Sequence, residues 1–185
     1  MNDAVEAVRS LDEIKRVQDL LAKHGGQIYA DIWTLGVNVG LRISDLLKIR
    51  MSDPHRGQLK LREGKTKKTR VIDLNATAAA VIKRRQKENP EHEWLFQVSS
   101  NRSSNKPIDR STVARKFQEV GDIVGVRLGT HSMRKTLGWQ MHSNGAPIER
   151  ICQVLNHSSP AVTMRYIGLI QEDIKQAYSD FEIRI

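Results

Sequence analysis

The first forty residues alternate apolar and polar positions with the period of an α-helix. From Leu11 to Leu21 apolar side chains recur about every three or four residues. Ser10 precedes this run and Glu13 follows three residues later, which is the pattern of a capped helix start. The segment QIYADIWTLGVNVGL predicts a second, more buried helix, and RISDLLKIR predicts a short third one.

Between Gly57 and Leu74 the apolar positions recur at every second residue, the period of a β-strand. GQLKLRE and TRVIDL each alternate apolar with polar residues and are joined by the basic GKTKK, so together they predict an antiparallel β-hairpin. Asn75 is expected to cap a helix over ATAAAVIKRRQKE that ends before Pro90. The Ser, Asn and Pro content of VSSNRSSNKP predicts an exposed loop.

The C-terminal half is predicted to be helical. The expected helices cover approximately residues 110–123, 131–144, 147–155, 160–167 and 171–180. No internal repeat and no long linker divides the chain. The predicted fold class is therefore α+β, mostly α-helical with a small antiparallel β-sheet, in a single domain over residues 1–185.

The charge balance indicates a kind of partner. The chain has 30 Lys and Arg residues against 21 Asp and Glu, which gives a formal net charge of +9 in 185 residues. Such an excess favours a polyanion, most often nucleic acid, because neutralising backbone phosphates releases counterions. General solubility is the alternative explanation of the same charge.

Cysteine and histidine usage excludes several kinds of site. The single cysteine, Cys152, cannot form an intrachain disulfide or a thiolate zinc cluster, and the six histidines lack the spacing of metal ligands. We therefore expect no metal. The N-terminus lacks a signal-peptide pattern and no apolar run approaches the length of a membrane span, so a soluble, cytoplasmic protein without a membrane partner is expected.

The segment LNHSSPAVTMRYIG contains candidate reactive side chains. Ser159 and Pro160 are typical of a helix start, with His157 in the turn before the helix and Tyr166 farther along it. Tyrosine is a poor nucleophile at neutral pH because its unperturbed pKa is about 10, but neighbouring cations would favour the phenolate. A tyrosine half-buried against the core is the structural alternative.

Two arginines lie where an anion could bind. In GTHSMRKTLGWQMH, His131 and Arg134 are neighbours on one helix face, where they would either share an anion or form part of a solvated surface. Arg42 follows a glycine between two helices. A partly buried arginine there would need an anion, and Asp45 could orient it or partly neutralise it.

The hairpin tip REGKTKKTR concentrates positive charge around Lys65. A charge run of this kind is usually a solvated turn. Its GKT is also part of a nucleotide-binding loop motif, but Leu59 stands where that motif needs glycine. The nucleotide-loop interpretation is therefore excluded.

Taken in order, GLRISDLL, GKTKKTR, HSMR and LNHSSPAVTMRYIG resemble the catalytic domain of the tyrosine recombinases, the phage integrase family. The resemblance covers about residues 11–175. Each motif is weak by itself, whereas six matching positions in order, with the family's spacing between His157 and Tyr166, are highly specific. The resemblance implies the tyrosine recombinase catalytic-domain fold and a site-specific DNA recombinase or integrase, an enzyme that breaks and rejoins DNA strands.

The resemblance also implies the roles of the matched residues. Tyr166 would attack a DNA phosphate to form a 3′-phosphotyrosyl link, while Arg42 and Arg134 would hold the non-bridging oxygens. His157 would donate a hydrogen bond to one of those oxygens. Strand exchange and religation would follow, because the phosphotyrosyl link conserves the bond energy needed for rejoining.

Two further matched residues would move protons. His131 would assist as an acid or base, and Lys65 on the hairpin would protonate the departing 5′-oxygen. The family uses neither a metal nor a high-energy cofactor, so no cofactor is expected. Two forked arginine donors with imidazole and ammonium support are physically sufficient to neutralise a phosphoryl group in reaction.

The sequence departs from the family pattern at a few positions. Asp45 stands where glutamate is more frequent, Lys135 replaces a frequent second histidine, and Asn156 replaces the glycine usual before His157. Most members also carry an N-terminal helical, core-binding domain, which we expect to be absent here. The chain would then be either a compact member or a fragment.

Basic residues outside the matched set are candidate contacts to the DNA backbone. They are Lys60, Arg62, Lys67, Lys68, Arg70, Lys83, Arg84 and Arg85. Contacts of this kind position a duplex without reading its sequence. The amphipathic tail QEDIKQAYSDFEIRI would either dock on a neighbouring subunit or pack on its own core. The expected partners are double-stranded DNA and other copies of the chain, as a dimer or tetramer on DNA.

Two other functions fit the same residues. A type IB topoisomerase shares this catalytic set but rejoins the original strand. A catalytically silent DNA-binding protein of the same fold is the second alternative, and the intact set of six residues argues against it.

Overall fold

Helices and short antiparallel strands form the part of the chain that this computed structural model describes, residues 5–64, 68–100 and 103–169. The chain divides into two compact units, Met1–Leu137 and Gly138–Ile185, and the boundary falls inside the sixth helix. The mostly helical α+β class with small antiparallel sheets, predicted from the sequence, is confirmed.

The first unit begins with three helices, α1 (Leu11–Gly25), α2 (Gln27–Val39) and α3 (Ile43–Leu46). The Ser10 hydroxyl accepts a hydrogen bond from the Glu13 amide at 3.1 Å, so the predicted cap is confirmed. Helix α2 is largely buried, as predicted. It ends at Gly40, whose φ of 61° lies in the left-handed region that glycine adopts without steric cost.

Three strands follow, β1 (Pro54–His55), β2 (Gln58–Arg62) and β3 (Thr69–Asp73), and they form one antiparallel sheet in this order. The predicted hairpin is confirmed, with Leu59 opposite Ile72 and Leu61 opposite Arg70. Leu59 is fully buried, whereas Lys60 and Arg62 project from the exposed face of β2. Residues 65–67, which connect the two strands, lie outside the described part of the chain.

The remaining elements of the first unit are α4 (Ala76–Glu88), β4 (Gln97–Ser100), β5 (Ser103–Pro107), α5 (Arg110–Val124) and the start of α6 (Ser132–Ser143). Asn75 caps α4 as predicted, since its side chain accepts from the Ala78 amide at 2.9 Å. The prediction of an exposed loop over VSSNRSSNKP is wrong, because β4 and β5 pair antiparallel there. Main-chain hydrogen bonds hold this ladder together, so its side chains do not need to alternate between apolar and polar. The sequence therefore carries no periodic signal that would have predicted these strands.

The second unit contains the rest of α6, then α7 (Ile148–Leu155) and α8 (Pro160–Ile167). A Cβ atom at Gly138 would lie 2.6 Å from Cγ2 of Ile167, so α6 and α8 approach this closely only because Gly138 has no side chain. Ser159 caps α8 and Pro160 occupies its first turn, as predicted. The predicted helix over residues 171–180 lies outside the described residues.

Candidate active site

In the first unit, the turn between α2 and α3 positions Arg42. The left-handed Gly40 reverses the chain after α2, and Arg42 occupies the N-cap position of α3 with extended backbone. Its Nη1 donates to Oε2 of Glu63 at 3.0 Å, and its side chain is 19% exposed. One nitrogen of the guanidinium is therefore held by a carboxylate, and the side chain as a whole remains partly accessible.

Sequence reasoning missed Glu63, although the sequence contains a signal for it. The residue directly follows β2, where Leu59 and Leu61 occupy the alternate inward positions, so the period of two places Glu63 on the same buried face. It is only 1% exposed, and its Oε1 accepts from Nη1 of Arg70 at 3.1 Å. An acidic residue at an inward strand position is the pattern that predicts a buried ion pair.

Arg134 lies in α6 and is 2% exposed. Its Nη1 donates to the backbone carbonyl of Gly40, two residues before Arg42. A buried guanidinium needs acceptors of this kind, because an unsatisfied charge in the interior is very unfavourable. The contact brings Arg134 to the turn that carries Arg42, although the two arginines are far apart in sequence.

His131 precedes α6 in the same unit and lies at the surface. Desolvation of the imidazole lowers its pKa below the ordinary 6.5, and the nearby positive charges of Arg134, Lys135 and Arg42 lower the pKa further. A histidine surrounded by cations in this way is neutral near pH 7. A neutral imidazole can accept a proton, which is what a general base must do.

Asp45 has a different contact from the one predicted. Its Oδ1 accepts from the Gly64 amide at 2.9 Å, and its buried Oδ2 has no hydrogen-bond partner among the described residues. The ion pair of Arg42 is instead with Glu63. Asp45 therefore holds Gly64 just past the end of β2, and the next residue, Lys65, lies outside the described residues.

In the second unit, His157 and Tyr166 are in direct contact. Their ring centroids are 4.8 Å apart with an interplanar angle of 76°, an edge-to-face arrangement. Asn156 ends α7 in the left-handed conformation with a φ of 49°, which turns the chain so that His157 precedes α8. This left-handed position explains why glycine is usual there and why asparagine is an acceptable substitute.

Thr163 orients the His157 ring, and sequence reasoning missed it. Nδ1 of His157 lies 3.0 Å from Oγ1 of Thr163, a fully buried residue in α8, one turn before Tyr166. The Thr163 hydroxyl also reaches the Ser159 carbonyl at 3.4 Å, so it has a main-chain acceptor of its own. This arrangement favours a proton on Nδ1, which makes Nε2 an acceptor in the neutral ring and a donor in the imidazolium.

The predicted backbone-contact residues differ in their exposure. Lys60, Arg62, Lys68, Lys83 and Arg84 are exposed, and Lys67 lies outside the described residues. Arg70 is 15% exposed and paired with Glu63. Arg85 is buried, with Nε donating to the Leu95 carbonyl at 3.1 Å, so the structure does not place it where DNA could reach it. Arg84 reaches the surface but pairs with the buried Asp31.

Among the described residues, no cluster of three or more His, Cys, Asp or Glu side chains could hold a metal ion. Within the same ranges, no helix combines the length and the apolar character that crossing a bilayer requires.

Comparison with curated proteins shows long matches. The chain is 35% identical over 179 residues to the probable integrase/recombinase YoeC of Bacillus subtilis (strain 168), covering 96% of this chain and 97% of that protein. It is 28% identical over 148 residues to the tyrosine recombinase XerA of Thermococcus onnurineus (strain NA1), covering 79% of this chain. The match spans 52% of XerA, so the chain corresponds to about half of that relative.

Solved structures show the same fold. A crystal structure of XerA recombinase superposes with a TM-score of 0.73 at 22% identity, over 98% of this chain and 66% of that chain. A lambda integrase(75–356) dimer bound to a COC′ core site superposes with a TM-score of 0.69 at 18% identity, over 90% of this chain and 61% of that chain. These likenesses confirm the predicted tyrosine recombinase catalytic-domain fold.

The family comparison covers most of the sequence. The model of the phage integrase family matches residues 11–172, which include all six positions predicted to be catalytic. The predicted class of enzyme, a DNA strand-breaking and rejoining recombinase, is confirmed by these matches together. The chain belongs to the phage integrase family, the tyrosine recombinases.

Proposed function

We propose that this chain is a site-specific recombinase that cleaves DNA through Tyr166 and forms a 3′-phosphotyrosyl intermediate. The observation that carries the proposal is the hydrogen bond from the buried Arg134 to the Gly40 carbonyl, beside Arg42. Arg42 and Arg134 would supply the positive charge that phosphoryl transfer needs, and His131, whose pKa is lowered by desolvation and by these neighbouring charges, would supply the proton acceptor.

In the proposed step, the Tyr166 oxygen forms a bond to phosphorus while the bond from phosphorus to the 5′-oxygen breaks. Arg42 and Arg134 neutralise the non-bridging oxygens, and His157, as the imidazolium, donates a hydrogen bond from Nε2 to one of them. His131 accepts the phenol proton, and Lys65 gives a proton to the departing 5′-oxygen. Rejoining reverses these transfers on a 5′-hydroxyl of another strand, so the proposed reaction consumes no cofactor.

The names of similar proteins support the proposed partners. One of the similar structures is a lambda integrase dimer bound to a core site, and another is a lambda integrase tetramer bound to a Holliday junction. We extend to this chain double-stranded DNA as substrate and self-association on it. The exposed Lys60, Arg62, Lys68 and Lys83 would contact the backbone. A single catalytic domain over residues 1–185 and a cytoplasmic location are part of the same proposal.

A nicked suicide substrate tests the chemistry directly. The nick lies next to the scissile phosphate, so the cleaved fragment diffuses away and the protein–DNA adduct accumulates. The substrate is a pool of duplexes with randomised sequence around the nick, so that many candidate target sites are present together. We expect a denaturation-resistant adduct with the natural chain and none with Tyr166→Phe. Tyr29→Phe, a change at a partly buried tyrosine in α2, is the matched control and should form the adduct normally.

The same experiment separates the alternative functions. A silent DNA-binding protein gives no adduct with any member of the pool. A topoisomerase gives the adduct but rejoins only the original strand. Joining of two differently labelled duplexes is therefore the result that identifies a recombinase.

A further inference from the structure

Glu63 connects two arginines in the first unit. Its Oε2 accepts from Arg42 at 3.0 Å and its Oε1 accepts from Arg70 at 3.1 Å, and the carboxylate is only 1% exposed. A buried carboxylate that accepts from a guanidinium on each oxygen is held in one orientation by charge-assisted hydrogen bonds. The Arg42 and Arg70 side chains are mostly buried as well. The carboxylate therefore also restrains the orientation of their guanidinium groups.

The contact occupies only part of Arg42. A guanidinium has five N–H donors in a rigid fork. Among the described residues, Glu63 is the only acceptor for the Arg42 side chain, and the donation comes from Nη1. In the proposed function, the other N–H groups of the fork would donate to the scissile phosphate. Because Glu63 already fixes one nitrogen of the guanidinium, the Arg42 side chain loses less conformational entropy when a phosphate binds.

Glu63 is also joined to the hairpin turn. Its amide donates to the Lys68 carbonyl at 3.0 Å, so the pairing of the two strands continues past Arg62 and Thr69 to Glu63 and Lys68. The next residue, Gly64, donates to Asp45 in α3 at 2.9 Å. One short segment, Glu63–Gly64, thus connects the α2–α3 turn that carries Arg42 with the hairpin that carries Lys65.

From this geometry we propose that Glu63 is a positioning residue for strand cleavage, acting by fixing the Arg42 guanidinium toward the scissile phosphate. This rests on the function proposed above. Glu63 is 1% exposed and pairs with Arg42, so its proposed role is exerted through Arg42 and it is not itself a catalytic residue. Its removal should slow the chemical step more than it weakens DNA binding.

A purely structural role is the competing explanation, and the chain offers a matched control for it. Asp31 in α2 is also a buried carboxylate of the first unit, and it pairs with Arg84 and Arg85. Asp31→Asn therefore reports the general effect of neutralising a buried carboxylate between two arginines. Glu63→Gln makes the same chemical change at the proposed positioning site.

The experiment measures single-turnover adduct formation on the suicide substrate at saturating DNA, with the dissociation constant measured separately. Temperature is kept below the unfolding transition of every variant. Misplacing an electrostatic group in an active site lowers the rate by up to roughly 100-fold, so Glu63→Gln should be about 10- to 100-fold slower, with a dissociation constant within about threefold of the natural chain. Glu63→Asp, which keeps the charge, should recover part of the rate, and Asp31→Asn should react at nearly the natural rate.

A second substrate tests whether the effect passes through Arg42. A suicide duplex with a methylphosphonate at the scissile position has lost one anionic oxygen, so it needs less neutralisation by an arginine. The rate deficit of Glu63→Gln should shrink on this neutral substrate, whereas a deficit caused by a loosened fold should be the same on both.

The outcomes separate the two proposals. If the natural chain forms an adduct and Glu63→Gln is as fast as Asp31→Asn, or if its deficit is equal on both substrates, the positioning role is overturned and the recombinase function stands. If the natural chain forms no adduct with any duplex of the pool, the recombinase function fails and the positioning role fails with it.

Discussion

The imidazole of His157 packs edge to face against the phenol of Tyr166, with ring centroids 4.8 Å apart. The hydroxyl of Thr163 also contacts this imidazole, with its Oγ1 3.0 Å from Nδ1. All three residues belong to α8 or to the turn before it, so the local backbone of the second unit determines their arrangement.

Thr163→Val tests whether the ring orientation of His157 matters for cleavage. Valine keeps the shape but removes the hydroxyl, so the His157 ring loses its bond to Thr163. Since one such hydrogen bond contributes about 1 kcal/mol, we expect single-turnover cleavage to be roughly 5- to 10-fold slower.

Thr34→Val provides the control for that variant. Thr34 is likewise a mostly buried helical threonine whose hydroxyl donates to a main-chain carbonyl one turn earlier, at 2.7 Å. Its loss should leave the cleavage rate unchanged. Equal rates for Thr163→Val and the natural chain would show that Thr163 does not orient a reacting group.

The lowered pKa of His131 predicts a pH dependence. Desolvation and the neighbouring cations hold this pKa below 6.5, so the imidazole remains neutral above that pH and gains a proton only in more acidic solution. If the neutral form is the base, the rate should be constant above pH 6.5 and fall as the pH decreases below it. His131→Gln should be slower and should lack this acidic decline, measured as single-turnover cleavage from pH 5 to pH 8.

The same shift has a consequence for stability. Below pH 6.5 the unfolded chain binds a proton at His131 more readily than the folded chain does, so this residue decreases the free energy of unfolding, and hence the stability, as the pH falls through that window. His131→Gln should therefore reduce the acid sensitivity of the unfolding midpoint. An acid limb in the cleavage rate that persists in His131→Gln would assign the base to another residue.

Surface and buried basic residues should respond differently to mutation. Lys60 and Arg62 project from the same exposed face of β2. If each contacts a phosphate, Lys60→Gln or Arg62→Gln should lower the slope of log affinity against log salt by about one, as measured by fluorescence anisotropy. Lys15→Gln on α1, an exposed lysine outside the predicted contact surface, should not change the slope.

Arg85→Gln should act through folding instead. Arg85 is buried against the Leu95 carbonyl and Asp31, so its removal leaves a buried carboxylate with fewer partners. Breaking a buried ion pair of this kind typically destabilises a protein by about 3 kcal/mol. Urea denaturation should show this loss, and Lys83→Gln on the exposed side of the same helix should not. An unchanged unfolding midpoint would contradict the buried placement.

Substitution of Asn156 by glycine should destabilise the protein less than substitution by alanine. Its φ of 49° places it in the left-handed region, which costs a residue with a Cβ atom roughly 1–2 kcal/mol and costs glycine nothing. We expect Asn156→Gly to retain stability and Asn156→Ala to lose about 1 kcal/mol in thermal or urea unfolding. Equal stability of the two variants would show that the backbone relaxes there.

Local patterns in the sequence were sufficient to predict most of the helices and strands. The caps at Ser10, Asn75 and Ser159 and the β2–β3 hairpin are confirmed, because each depends on residues close together in the chain. The β4–β5 ladder is equally local in the chain but was missed for a different reason. Polar residues in a two-stranded ladder are held by main-chain bonds, and these leave no periodic signal in the side chains.

The sequence by itself determined which family the chain belongs to and which residues are candidates for the chemistry, because order and spacing along the chain are sequence properties. Only the tertiary structure decided their partners. It joined Arg134 to the Gly40 carbonyl, paired Arg42 with Glu63 where Asp45 was expected, and buried Arg85. These contacts join segments distant in sequence, and which acceptor a guanidinium reaches depends on how those segments pack, a property that no local pattern contains.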